Sequence, residues 1–489
     1  MKRSREISEV KRRVLEKIKP SREEEILLEE KAKEIVEALE EILEEYSPEI
    51  EVLGSFAKGT WIRGKRELDI FILVEPPERV TRRNYKPYFE ELVNKLIKRI
   101  PRRYELRYAN HPYVHVSIED IEADLVPGFL IDDPSNIISP VDRSPFHARY
   151  VREHLDESMR DEVRVLKQFL KGMRAYGAEI KVQGLSGYAC ELLIISEKSF
   201  EKALEAIRKL KFIDPARHYS GSERVMDAIR KGFLNLVNSP MTIVDPVDPK
   251  RNVAAALSWE TYARLRLSIS YFFSHPSEAF FFVPEPPKEI PDENTMVLYG
   301  EIDAPEDIIW GKLWRLVRII RKAVKEDPNL SYYVKEIYPG IYDNRRYVAV
   351  RFLDIYAKRG KIRGPKATAA IGIERLLDKE VRLETPVEHK NFSNIFLRDE
   401  CILTRTVRTA LKILNRERLA YADKFFLEAY GELKYDSPIE ALRRKIRGGL
   451  PVRDVKVWPL KDLPRGFMID AEGMLRPLKY VHQIVSGSS

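Results

Sequence analysis

The residues best suited to chemistry lie between Leu53 and Val74. This window reads Gly54-Ser55-Phe56-Ala57-Lys58-Gly59-Thr60, then Trp61-Ile62-Arg63-Gly64, then Glu67-Leu68-Asp69 opening an apolar run to Val74. Gly54 permits a tight turn and the close approach of a phosphate to the backbone. Ser55 offers a hydroxyl and an N–H near a helix start, where phosphate binds well. Lys58 adds a positive charge. Glu67 and Asp69 are two apart on an expected strand, so both project from one face. Side-by-side carboxylates repel each other unless cations sit between them, and hard oxygen ligands at this spacing suit Mg²⁺. Two-metal phosphoryl transfer needs such a pair, with the ions ~3.5–4 Å apart.

A third carboxylate should come from a neighbouring strand. Ile121–Pro127 supplies Asp124, embedded among apolar residues where an unpaired charge is costly. Glu122, two residues earlier on the same face, is the rival, and Asp124 is preferred because it lies deeper in the strand. His111 and His115 are spaced like a metal pair, but Pro112 between them argues against a helix, and both read as strand residues near the acids.

The elements that must hold these groups are legible. The capping-box pattern Ser21-Arg22-Glu23-Glu24 opens an amphipathic helix over 22–46. Strands are expected at Ile50–Leu53, Leu68–Val74, Tyr104–Tyr108, Tyr113–Ile118 and Ile121–Val126, with a helix near Tyr88–Ile100. These make an α+β domain over residues 1–145. Residues 1–19 carry eight Lys/Arg against three Glu and read as a solvated basic helix or arm. Residues 146–283 are mainly helical, with helices expected at Arg160–Met173, Leu185–Ile195, Phe200–Lys209 and Glu260–Phe273. The proline-rich stretch Val283–Pro287, with Pro291, reads as an extended spacer. Residues 284–489 alternate again. A strand at Thr295–Ile302, a helix at Asp307–Val324 and strands at Ser331–Ile337 and Tyr347–Tyr356 suggest a ferredoxin-like or RNA-recognition-motif-like sheet. Helices are expected at Ile402–Leu414 and Asp423–Tyr430.

Composition narrows the class. With 489 residues, 44% hydrophobic, the chain has material for about three domains and is neither disordered nor a minimal scaffold. No apolar run approaches the ~18 residues that span a bilayer, and the N-terminus lacks the apolar core of a secretory signal. Two distant cysteines suit a reducing cytosol better than a disulfide framework. The net charge of +8 permits a nucleic-acid partner without demonstrating one.

Taken together, the Gly-Ser turn, Gly59-Thr60, the paired acids and the later strand aspartate resemble the catalytic signature of the DNA polymerase β-like nucleotidyltransferase superfamily. Further stretches extend the likeness: His111-Pro112-Tyr113-Val114-His115, Val141–His147, Leu166–Lys171, Tyr176–Glu179, Gly184–Tyr188 and Asp245–Ala254. In this order, and over roughly residues 25–275, the chain resembles the archaeal, class I CCA-adding enzymes. After Pro291 the likeness is weak. The resemblance implies a polymerase β-like nucleotidyltransferase palm domain, a helical central domain that contacts nucleotide, and a C-terminal tRNA-binding body and tail. It implies a cytoplasmic enzyme, a homodimer, that adds C, C and A to the tRNA 3′ end from CTP and ATP without a template. Glu67, Asp69 and Asp124 would hold two Mg²⁺ ions. Ser55 and Lys58 would contact the triphosphate. His147, Lys167 and Tyr176 would line the nucleotide pocket, and Arg251 would read the base edge.

Each of these residues also has a plainer reading. By periodicity Lys167 is a solvated lysine, His147 and Tyr176 can be core residues, and Arg251 can pair with Asp248. A poly(A) polymerase or a 2′-5′ oligoadenylate synthetase-like enzyme shares the signature and remains the alternative, and an inactive RNA-binding descendant of the fold is a third reading. For the RNA itself, Ile341–Lys366 holds eight Lys/Arg against two Asp, interleaved with aromatics. Arg345, Arg346, Arg359, Lys361 and Arg363 in this stretch are candidates for acceptor-stem phosphates, and the basic run Arg443–Gly449 for the far end of the arm.

Overall fold

The computed structural model describes residues 2–100, 104–108, 111–210, 212–219, 221–232, 239–282, 295–300, 304–326, 334–342, 345–352, 442 and 456–459. In chain order the elements are α1 (Lys2–Ile18), α2 (Arg22–Ile42), β1 (Glu49–Leu53), α3 (Gly54–Ala57), β2 (Glu67–Val74), α4 (Lys86–Arg99), β3 (Tyr104–Tyr108), β4 (Pro112–Ile118) and β5 (Ile121–Phe129). They continue with α5 (Ser144–His154), α6 (Glu157–Gly172), α7 (Gly187–Glu197), α8 (Phe200–Arg208), α9 (Ser222–Arg230), α10 (Trp259–Ser274), β6 (Thr295–Gly300), α11 (Glu306–Glu326), β7 (Val334–Tyr342), β8 (Arg345–Phe352) and β9 (Lys456–Pro459). They group into two compact units. One comprises Ser8–Phe169 and Leu185–Leu257, the other Met1–Ile7, Leu170–Gly184 and Ser258–Ser489. Residues 146–283, read from sequence as one central region, therefore contribute to both.

In the first unit a five-stranded sheet runs β1-β2-β5-β4-β3. Only β2 and β5 pair in parallel; the other pairs are antiparallel. A parallel pair needs a crossover, which the chain between β2 and β5 provides with α4 and the β3–β4 ribbon. Strand alternation then assigns the faces. Leu68, Ile70, Ile72, Val114 and Leu125 enter one core with Leu28, Ala32, Ile35 and Leu39 of α2 and Leu92, Val93 and Leu96 of α4. On the opposite face Phe71 and Leu73 pack with Ala148 of α5. Helix α2 starts as the capping box predicts: Glu24 N donates to Ser21 Oγ (3.3 Å), and Ser21 N donates to the Glu24 carboxylate (2.9 Å). The basic lead-in is more than a solvated arm, because α1 buries Val10, Val14 and Ile18. Its Lys11 bridges Glu162 (2.9 Å) and Glu201 (3.1 Å).

In the other unit an antiparallel sheet runs β7-β8-β6-β9. With β6 and β8 central and α11 between β6 and β7, this is the split β-α-β arrangement of a ferredoxin-like sheet, as the element order suggests. Helix α11 buries Trp310, Leu313, Val317, Ile320 and Val324 and leaves Arg315, Arg318 and Lys322 exposed, the division its periodicity implies. The proline-rich spacer, the helices expected at Ile402–Leu414 and Asp423–Tyr430, and Arg359, Lys361, Arg363 and Arg443–Gly449 lie outside the described residues. Arg345 and Arg346 open β8. Among the described residues no helix is long and apolar enough to cross a membrane.

The chain leaving β5 turns through a short 3₁₀ segment at Pro140–Arg143, anchored by one buried carboxylate. Asp142 accepts from Phe129 N (3.0 Å), Ile138 N (3.1 Å), Ser139 N (2.6 Å) and Ser139 Oγ (2.6 Å). Asp142→Ala would strand three backbone donors. A loss of about 3 kcal/mol in urea unfolding is expected, and a loss near zero would show that these donors find water instead.

Candidate active site

Parallel pairing of β2 with β5 sets the register Glu67 opposite Glu122 and Asp69 opposite Asp124. The four carboxylates therefore rise from one face of two adjacent strands, where that face is open. Further along β2 the same face is closed by Phe71 and Leu73. A cavity of about 550 Å³ lies over the acids, lined by Glu67, Asp69, Glu122 and Asp124, and by His115 of β4 with Tyr104 and Arg107 of β3. Lys65 pairs with Glu67.

Antiparallel pairing of β1 with β2 places Leu53 opposite Asp69, so the turn after β1 begins beside that aspartate. Gly54 there has φ +68°, and a Cβ added to it would fall on the Asp69 carboxylate. Glycine is required on both counts, and the group that approaches it most closely is the catalytic candidate itself. The turn closes through Gly59 N to Phe56 O (2.9 Å) and Thr60 N to Ser55 O (2.9 Å), leaving Ser55 half-buried near the acids' end of the sheet.

Burial, and after it the charges of Asp124 and Glu67, push the Asp69 carboxyl above its ordinary range, although Lys65 and Lys58 pull the other way. Such mutual repulsion is what a bound cation relieves. Among the described residues no three His, Cys, Asp or Glu side chains are placed together to hold a metal ion. The donors present, carboxylate oxygens alone, are nevertheless of the type that hard divalent cations take while keeping waters and sharing substrate phosphates.

His115 is held more tightly to the acids than its strand position alone suggests. It faces Asp124 across the β4–β5 pair, with Nδ1 2.6 Å from Asp124 Oδ1 and Nε2 2.6 Å from Glu122. Glu122 also accepts from Ser117 Oγ (2.7 Å). His111 is no partner to it. Its Nε2 lies 3.1 Å from Pro127 O, its ring packs on Phe89, and burial pushes its pKa down to about 4.

A second cluster brings His147 and Arg251 together. Both meet Asp245, which is fully buried: His147 Nε2 at 2.9 Å and Arg251 at 2.7 Å from Oδ2. Tyr188 donates to Oδ1 (3.3 Å), as does Val247 N (3.0 Å). His147 stacks on Tyr188 with ring centroids 4.1 Å apart. Burial alone would raise Asp245, but the His147 hydrogen bond and the Arg251 charge hold it at about 2. Burial, aided by Arg251 and Lys58, keeps His147 below its ordinary range, and its Nε2 donates to the Asp245 carboxylate. Arg251 thus pairs with Asp245 rather than Asp248, whose carboxylate is taken by Arg143 (3.0 Å).

Lys58 and Lys167 form a third group. Lys58 Nζ lies 2.5 Å from Glu191 Oε2. Lys167 Nζ donates to Thr60 O (3.1 Å), Thr60 Oγ1 (2.9 Å) and Glu191 Oε1 (3.3 Å), and Thr60 Oγ1 donates to Glu191 Oε1 (2.7 Å). Helical periodicity makes Lys167 solvated; it is 2% exposed. Tyr176 belongs to the other unit, where the Lys171 ammonium lies 5.4 Å over its ring. Sequence reasoning gave no role to Tyr188, Glu191 or Asp245. The available signal was a single charge, Glu191, inside the apolar run Ala189–Ile195.

Residues 32–147 match the family model "Nucleotidyltransferase domain" and residues 161–282 match "tRNA nucleotidyltransferase, second domain". The CCA-adding enzyme of Sulfurisphaera tokodaii is 39% identical over 323 residues, 65% of this chain and 72% of that protein. The CCA-adding enzyme of Sulfolobus acidocaldarius is 36% identical over 329 residues, 65% of this chain and 71% of that protein.

Because the native state holds Asp245 at about 2 against an ordinary 3.8, the native carboxylate releases its proton more readily than the unfolded one. Its contribution is complete above about pH 4 and fades as pH falls toward 2. Relative to Asp245→Asn, the wild-type stability advantage measured by urea unfolding should shrink by about 2 kcal/mol between pH 5 and pH 2. A constant difference would mean that Asp245 is not held ionised by His147 and Arg251.

Proposed function

We propose, because the chain belongs to the CCA-adding enzyme family of tRNA nucleotidyltransferases, that it adds C, C and A to the 3′ end of tRNA from CTP and ATP without a nucleic-acid template. The observation that carries this reading is the parallel β2–β5 register, which sets Asp69 opposite Asp124 beside the Gly54-Ser55 turn. Paired acids next to a phosphate-binding turn are what in-line nucleotidyl transfer requires. The RNA 3′ hydroxyl attacks the α-phosphate, and pyrophosphate leaves.

Glu67, Asp69 and Asp124 would hold two Mg²⁺ ions, which would stabilise the developing phosphate charge and activate the hydroxyl when bound. The rest is the work of this chain's own side chains. His115, bonded to Asp124, fixes the orientation of that carboxylate. Ser55 and Lys58 receive the triphosphate at the turn after β1. Arg251 presents its guanidinium to the base edge, fixed at one nitrogen by Asp245 and 41% exposed at the side chain. His147, stacked on Tyr188, flanks the same position, and Lys167 braces the turn that carries Lys58 through its bonds to Thr60. Arg345 and Arg346, with Arg359, Lys361 and Arg363, would meet acceptor-stem phosphates, in a cytoplasmic homodimer.

The test uses tRNA transcripts ending before CCA, in C and in CC, each incubated with Mg²⁺ and labelled CTP or ATP. CTP entering only the first two, and ATP only the third, is the expected pattern. Long ATP tracts on all three would point to a poly(A)-type enzyme and withdraw the role given to Arg251. Asp69→Ala and Asp124→Ala should each lower incorporation more than about a hundredfold, the loss of several kcal/mol of charge stabilisation. Binding of tRNA by filter retention should stay near wild type. Activity within about tenfold of wild type would contradict the assignment of these carboxylates.

A further inference from the structure

We propose that Glu191 is a positioning residue for the nucleotide triphosphate, an internal counter-anion that holds Lys58 poised at the turn after β1. The inference rests on the reading of Lys58 as a triphosphate contact.

Glu191 lies on α7 in a run whose neighbours Ala189, Cys190, Leu192 and Leu193 are all fully buried, and it is fully buried itself. A carboxylate there persists only if it is paired and hydrogen-bonded. Its partners come from two distant pieces of chain. Lys58 and Thr60 belong to the turn after β1, and Lys167 belongs to α6. Glu191 therefore ties the phosphate-binding turn to two helices of the same unit.

The geometry of the cluster points to an exchange of anions at Lys58. Two lysines reach one carboxylate, Lys58 at Oε2 and Lys167 at Oε1, so Glu191 keeps a donor when Lys58 leaves it. The side chains differ in access: Lys167 is 2% exposed and Lys58 10%. Lys58 is thus the member that borders the open side, with its ammonium 5.8 Å from the Tyr188 ring. Lys167 and Thr60 both donate to Glu191, so its carboxylate stays hydrogen-bonded when Lys58 turns outward. Lys58 can then exchange one anion, the carboxylate, for another, the triphosphate, without leaving a bare buried charge behind. A merely structural salt bridge would need one lysine; the second lysine and the access of Lys58 are what the positioning role explains.

The experiment is a double-mutant cycle on the full chain, with Glu191→Gln, Lys58→Met and both together. Kinetics would be measured with CTP on tRNA lacking CCA and with ATP on tRNA ending in CC. Glu191→Gln should raise the KM for both nucleotides about tenfold, while kcat and the KM for tRNA change less than about twofold. In the Lys58→Met background the same substitution should add less than about twofold, because its effect passes through Lys58. Glu191→Asp, which keeps the charge, should recover part of the nucleotide KM, and it carries the cycle if the Gln variant does not fold. A raised KM in Lys58→Met with a silent or independently multiplying Glu191 substitution would overturn the proposal alone. An unchanged nucleotide KM in Lys58→Met would overturn the triphosphate role of Lys58 and the proposal with it.

Discussion

The first unit depends on one pairing, the parallel alignment of β2 with β5. Its register sets Asp69 opposite Asp124 and Glu67 opposite Glu122, and a slip of β5 by one residue would send Glu122 and Asp124 into the α2–α4 core. The pairing is parallel and non-local, so its closure is supported from both sides. The apolar side chains of β2 and β5 are buried beneath α2 and α4. On the other face Phe71 and Leu73 are covered at the far end only, which leaves the acids accessible. One strand face is therefore core at one end and open surface at the other, with Asp69 placed at the transition.

Around this sheet, buried carboxylates tie segments of chain together. Asp142 gathers the backbone donors after β5, Asp245 gathers His147, Tyr188 and Arg251, and Glu191 gathers Lys58, Thr60 and Lys167. Each would be expensive to bury alone and is affordable because several donors converge on it. Tyr188 and Glu191 stand three apart on α7, so one helical turn addresses both the Asp245 cluster and the lysine cluster. Side chains expected to hold a nucleotide are thereby fixed before any nucleotide arrives, which is the preorganisation that binding and transfer favour.

The second unit shows the same economy in a different form. A helix with a clean apolar face and a split β-α-β sheet arise from strict periodicities of 3.6 and 2, and the charged back of α11 faces solvent as its spacing dictates. Its Arg321 is fixed by Glu260 of α10 (3.1 Å), so part of that charge serves packing within the unit.

Strand positions in the first unit were legible in the sequence nearly to the residue, because alternation and turn residues are local properties. The capping box at Ser21 and the paired acids Glu67 and Asp69 were legible for the same reason. The partner of those acids was only partly so. Asp124 stood out as a charge in an apolar strand, but its register against Asp69 is a matter of which strands pair. Lys167 shows the opposite case: periodicity put it on a polar helix face, and the fold covers that face with the Thr60 turn and α7. Arg251 had Asp248 as its near neighbour in sequence, yet the loop turns it to Asp245. What the sequence by itself determined is the set of elements and the chemical types on each face, since these follow from spacing along one segment. Only the tertiary structure decided which charges meet, because the partner of a buried charge is set by packing between segments far apart in the chain.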